Sequence, residues 1–273
     1  MSKSWIATLA GLALFSTGLR AQTVPNASHV ITDARQAYYN LPSEGMATFQ
    51  CTLTPNWEAL LEDQRKQDPE AADRAINVFK QIRFVVTRGA DGKFRITHNE
   101  LSGQSKEMND ALAQIYKGME QMTSGFYDTW SPFMISSPLP DPGSTYQLQA
   151  GGPLYLLAYK EGTSDVATTL SKDFAISELK VTTPEFDSVI HPEFTRTPKG
   201  LVLRAYTATY ETKNPGEATR LNVLIGYQET DGIQMLRRLE LSGSYGGANF
   251  AIDLAFSDCQ VTRKPAITAN SSR

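Results

Sequence analysis

Metal and thiol chemistry have little to work with in this chain: of its 273 residues, two are Cys and three are His. His29, His98 and His191 lie far apart, and no Cys-x-x-Cys occurs. The clustered donors that a metal site needs are therefore missing from the pattern, and no metal is expected. No Gly-x-Ser-x-Gly elbow is present; Gly243-Ser244, before Tyr245-Gly246-Gly247, reads as a hairpin turn. No phosphate-cradling loop or dinucleotide fingerprint occurs, so no cofactor is expected. The net charge of -3 argues against nucleic acid, whose binding needs a clustered basic face. Carboxylate pairs remain open to acid–base work, namely Glu185 with Asp187 and Glu58 with Glu62. With 29 acidic residues in the chain, their reading as surface residues carries more weight, and the balance leans away from an enzyme.

Long apolar runs are also absent. The apolar run from Trp5 to Phe15 follows Lys3 and precedes Leu19-Arg20-Ala21. It falls short of the ~18 residues needed to span a bilayer and has the form of a secretory leader cleaved after Ala21. Residues 1–21 are thus expected to be a signal peptide. The mature chain of about 250 residues should be periplasmic or secreted, with no transmembrane segment. In that oxidising compartment Cys51 and Cys259 suggest one disulfide, closing a loop that chain entropy rates at about 5 kcal/mol. Strand phase opposes the pairing. Cys51 shares a face with Phe49 and Leu53, whereas Cys259 is out of phase with Ile252, Leu254 and Phe256. A bulge or a strand end would reconcile them; two unpaired buried thiols are the alternative.

Hydrophobic residues make up 41% of the chain, enough for a substantial core. Val30, Ile31, Ala34, Tyr38 and Leu41 recur at helical spacing up to Pro42. A strand follows from Met46 to Leu53. Two further helical stretches carry Trp57, Leu60 and Leu61, then Ala72 to Ile82, with the charged run from Glu62 to Glu70 as a solvated face or a break. Short strands over 82–87 and 94–98 flank Gly89-Ala90-Asp91-Gly92, a hairpin signal. Met108, Leu112, Ile115, Met119 and Met122 mark the clearest helix, which Gly125 is expected to end. An aromatic loop then holds Phe126, Tyr127, Trp130 and Phe133.

From Thr145 the pattern is β. Strands are expected over 146–149, 153–159, 166–170, 174–181, 201–211, 220–228, 233–241 and 250–261. Asn214-Pro215-Gly216, Asp231-Gly232 and Gly246-Gly247 join the last four as antiparallel neighbours. The expectation is an α+β domain over 22–263, a large curved antiparallel sheet or half-barrel with helices from the first half packed on one face. A disordered tail is expected over 264–273.

Met119, Met122, Phe126, Trp130 and Phe133 are the candidate ligand-binding residues, because methionine and aromatic side chains can shape a pocket for an apolar molecule. The Met stripe equally suits plain packing of a helix onto a sheet. The order of elements, with Met46-Ala47-Thr48-Phe49-Gln50 near the start and Leu221–Tyr227, Asp231-Gly232-Ile233, Leu239 and Leu241 near the end, resembles the periplasmic lipoprotein carriers of the LolA, LolB and LppX superfamily. The chain departs from them in its insertion from about Glu62 to Asp73 and in having Gln234-Met235-Leu236 where they usually have a Pro. The resemblance implies a concave apolar surface that shelters acyl chains beneath a helical lid. Three functions are thereby expected in decreasing order: an exported binding protein for a lipid or other apolar ligand, an envelope scaffold that holds a protein partner on a sheet face or edge, and a hydrolase with dispersed residues.

Overall fold

The computed structural model describes residues 22–24, 26–213 and 218–264. The expected leader, the Asn214-Pro215-Gly216 turn and nearly all of the expected tail lie outside the described residues. The elements run β1 (Gln22–Thr23), α1 (Ala27–Gln36), β2 (Met46–Pro55), α2 (Trp57–Leu60), α3 (Glu62–Gln67), α4 (Pro69–Phe79), β3 (Phe84–Arg88), β4 (Phe94–His98) and α5 (Lys106–Met134). Nine strands follow among the described residues: β5 (Tyr146–Gly151), β6 (Leu154–Glu161), β7 (Ser164–Ser171), β8 (Ile176–Thr182), β9 (Phe186–Thr197), β10 (Gly200–Thr212), β11 (Thr219–Thr230), β12 (Ile233–Tyr245) and β13 (Ala248–Arg263).

All strands join one antiparallel sheet in the order β1-β5-β6-β7-β8-β9-β10-β11-β12-β13-β2-β3-β4. The α+β expectation holds, with an open sheet whose two edges are β1 and β4. β5 to β13 form a meander in which each strand pairs with the next. The hairpin turns at Asp231-Gly232 and Gly246-Gly247 need positive φ at both positions; glycine fills three of the four, and Asp231 takes φ 52°. The connection from β4 to β5 must cross from one side of the sheet to the other, and α5 does so. At ~1.5 Å per residue its 29 residues span roughly 44 Å.

α5 lies on the sheet's inner face. Phe133 packs against Phe194 of β9, Trp130 Nε1 donates to Tyr227 Oη of β11, and Tyr127 meets Phe49 of β2. The expected stop at Gly125 is incorrect. The helix runs on to Met134, and the expected aromatic loop is its last two turns. Thr123, Phe126, Tyr127, Trp130, Phe133 and Met134 prolong the buried stripe at intervals of one, three and four, so tertiary burial outweighs the ~1 kcal/mol that a glycine costs inside a helix. Pro132 falls in the final turn and lacks an amide to offer.

Two other expectations change for local reasons, while the charged run is the solvated face expected of it. The first helix ends at Gln36 rather than near Leu41, because Leu201 N donates to Ala37 O and Tyr39 N to Leu201 O, drawing the chain into a parallel bridge with β10. Residues 37–46 then run past the ends of several strands. Tyr38 Oη donates to Phe174 O, Gln234 N donates to Tyr39 Oη, and Lys264 N donates to Gly45 O. The charged run is itself a helix, α3, with no residue buried and Lys66 bridging to Glu62 and Asp63. Asp68 caps α4 through Ala71 N, and Pro69 sits where no helical amide is needed. Finally, β9 is missing from the expected strands, since Pro192 interrupts its pattern. Its ladder to β8 stops at Ile190, so the missing amide costs no hydrogen bond on that side.

Cys51 and Cys259 are bonded, with Cα atoms 4.1 Å apart. A β-bulge resolves the phase conflict. Ser257 pairs with Thr52 and Gln260 with Gln50, so Asp258 and Cys259 together oppose Cys51. Asp258 takes φ 50°, and the extra residue turns Cys259 onto the face of Cys51.

Candidate functional site

The five side chains expected to line an apolar pocket all lie on α5. Met119, Phe126, Trp130 and Phe133 are buried and Met122 is half-buried. They pack against one another and against the sheet: the Phe126 and Trp130 ring centroids are 6.1 Å apart, and those of Phe133 and Phe194 5.7 Å. Tyr227 Oη accepts from Trp130 and donates to Leu203 O at 2.6 Å, fixing the helix to two strands. These residues fill the inner face, and none of them lines the largest described groove.

That groove, of about 1180 Å³, runs between β4 and the flank of α5. β4 is a sheet edge, so half of its backbone groups face away from β3. Gly89 N donates to Lys93 O, which sets the alternation of the ladder. Thr87–Arg95 and Val85–Thr97 are then the hydrogen-bonded pairs, and the amides and carbonyls of Phe94, Ile96 and His98 point outward. The side chains of these three residues turn to the inner face. Phe94 stacks on Tyr127 with centroids 4.1 Å apart, and His98 on Tyr116 at 3.6 Å. The two stacks lay α5 alongside β4, running in the opposite sense.

Beside the groove, polar atoms are buried without partners. Thr123 Oγ1 and Tyr127 Oη, one turn apart on α5, both belong to groove-lining residues and find no hydrogen-bond partner. Tyr116 Oη and Arg88 Nε, on the same seam of α5 with β3 and β4, are in the same condition. Burial pushes the Tyr127 hydroxyl well above its ordinary range, so it stays protonated and can donate. An unpaired buried hydroxyl costs about 1–3 kcal/mol, and native folds carry few of them. Sequence reading placed Tyr127 among the aromatics but missed this site. An edge strand is defined by what does not pair with it, which no local pattern reveals.

The remaining candidates do not converge. Asp187 faces Lys213 at 3.5 Å, Glu58 faces Lys80 at 2.5 Å and Glu62 faces Lys66 at 3.1 Å, each on an exposed surface. His29 and His191 lie apart, on α1 and β9. Among the described residues no three His, Cys, Asp or Glu side chains gather to hold a metal ion, and no helix is long and apolar enough to cross a membrane. Gly243 serves the sheet itself, since a Cβ there would lie 2.0 Å from Arg220 O of the neighbouring strand.

No protein-family model, curated protein or solved structure matches the chain.

Proposed function

We propose that the protein is an exported binding domain that holds a segment of a partner polypeptide in the groove between β4 and α5. One observation carries the reading: an unpaired strand edge and an open volume beside the flank of a helix coincide there. Strand edges flanked by a helix bind extended peptides through main-chain hydrogen bonds, with pockets for alternate side chains. Export is supported by the leader-like pattern of residues 1–21 and is compatible with the disulfide.

Selection of a random linear peptide library displayed on phage tests this reading on the oxidised protein. Binders should be recovered, and Ile96→Pro should abolish their capture. The Ile96 amide faces away from β3, so proline there removes a donor to the guest and not to the host sheet. Ser124→Trp, which fills the groove from the helix side, should do the same. Binders that survive both substitutions place the site elsewhere.

A second reading, binding of a lipid or other apolar ligand, is favoured by the Met and aromatic content of α5 and by the resemblance to the lipoprotein carriers. It requires α5 to lift from the inner face. A fluorescent fatty-acid probe whose binding Ile96→Pro and Ser124→Trp leave unchanged would support it over the peptide reading.

A further inference from the structure

Resting on the peptide reading, we propose that the groove selects an extended segment with two basic side chains four residues apart, both turned towards α5. A strand added to β4 pairs with the outward backbone groups of Phe94, Ile96 and His98. Its residues opposite these three must point to the same face as they do, which is the face of α5.

Glu120, Ser124 and Asp128 form one stripe along the exposed flank of α5 that borders the groove. Glu120 and Asp128 are eight residues apart, about 12 Å along a helix axis. Strand residues on one face separated by four positions lie about 13 Å apart, and those separated by two about 7 Å. The carboxylates therefore match the four-residue spacing. Neither makes an ion pair among the described residues, although sixteen described bridges occupy other charges. Between them Ser124 is small and Gly125 has no heavy atom within 4 Å of a Cβ position, so the middle guest side chain has room. The basic groups of the edge lie on the other face: Arg95 is held by Asp91 and, like Lys93, alternates with the inner-facing Phe94. Acidic side chains turned towards α5 would thus meet like charge from Glu120 and Asp128, while Arg88, the cation on that face, is directed towards β2, where its Nη1 donates to Ala47 O.

Fluorescence anisotropy with three labelled eleven-residue peptides tests the proposal. All alternate threonine and valine; one carries lysine at positions 4 and 8, the second glutamate at those positions, and the third lysine at 4 and 7, on opposite faces. The 4,8-lysine peptide should bind about tenfold more tightly than either of the others at low salt, with the gap closing at ~1 M salt. Glu120→Lys with Asp128→Lys should reverse the preference between the first two, and both residues are exposed enough for the fold to tolerate it. Equal binding of all three, lost in Ile96→Pro, would overturn the charge selection while leaving strand addition intact. Absence of binding, with library-selected peptides indifferent to Ile96→Pro, would remove both. Sedimentation showing a dimer that Ile96→Pro dissolves would give the edge to a second copy of the chain and overturn the proposal.

Discussion

At the scale of single residues, Asp258 shows how one backbone angle changes a fold's covalent structure. Its φ of 50° accompanies the extra residue that brings Cys259 over Cys51. Any β-branched residue there is disfavoured, since the left-handed region is costly for it. Replacing both cysteines with alanine should lower stability by about 2–5 kcal/mol, read from urea unfolding of the double variant against the oxidised parent. Tyr127 should behave in the opposite way. Its hydroxyl is buried without a partner, so Tyr127→Phe should raise the free energy of unfolding by up to about 1 kcal/mol, read from urea unfolding. A loss of stability instead would mean that the hydroxyl has a partner, such as an enclosed water. The disulfide pair was legible from the even cysteine count and the compartment expected from residues 1–21; its geometry was not, because alternation counts residues and cannot see an unpaired one.

Among the elements, α5 joins fold to function. Its inner face fixes the helix to β9, β10 and β11 through Phe133, Thr129 and Trp130, and its flank borders the groove. Gly118, in mid-helix, has no heavy atom within 4 Å of a Cβ position. Gly118→Ala should therefore stabilise the protein by about 0.5–1 kcal/mol, measured by thermal or urea unfolding, without altering peptide binding. A destabilised Gly118→Ala protein would mean that this part of α5 packs more closely than it does here. Local propensity read Gly125 as a stop. Burial of Phe126, Trp130 and Phe133 against the sheet reversed it, and this energy appears only once the sheet exists.

For the whole molecule, buried tyrosines set the alkaline limit. Tyr38, Tyr127, Tyr206 and Tyr227 are pushed far above their ordinary value by burial, and Tyr159 to about 12. In the unfolded chain they ionise near pH 10. Above that pH the unfolded state has released protons which the folded state keeps, so stability is fully present below about pH 10 and falls as pH rises beyond it. Urea midpoints should be level up to about pH 9 and decline towards about pH 11, and tyrosinate absorbance of these groups should appear only with unfolding. An early, non-cooperative tyrosinate signal would show that the inner face admits water. By itself the amino-acid order determined the α+β class, most strand positions, the Asp231-Gly232 and Gly246-Gly247 hairpins and the availability of one cysteine pair, because alternation, turn chemistry and composition are short-range properties. Only the tertiary structure decided the length of α5, the β9 strand, the bulge beneath the disulfide and the exposed edge at β4. Each depends on what lies across space from a residue, and burial or the lack of a strand partner is energetically real only when distant segments have met.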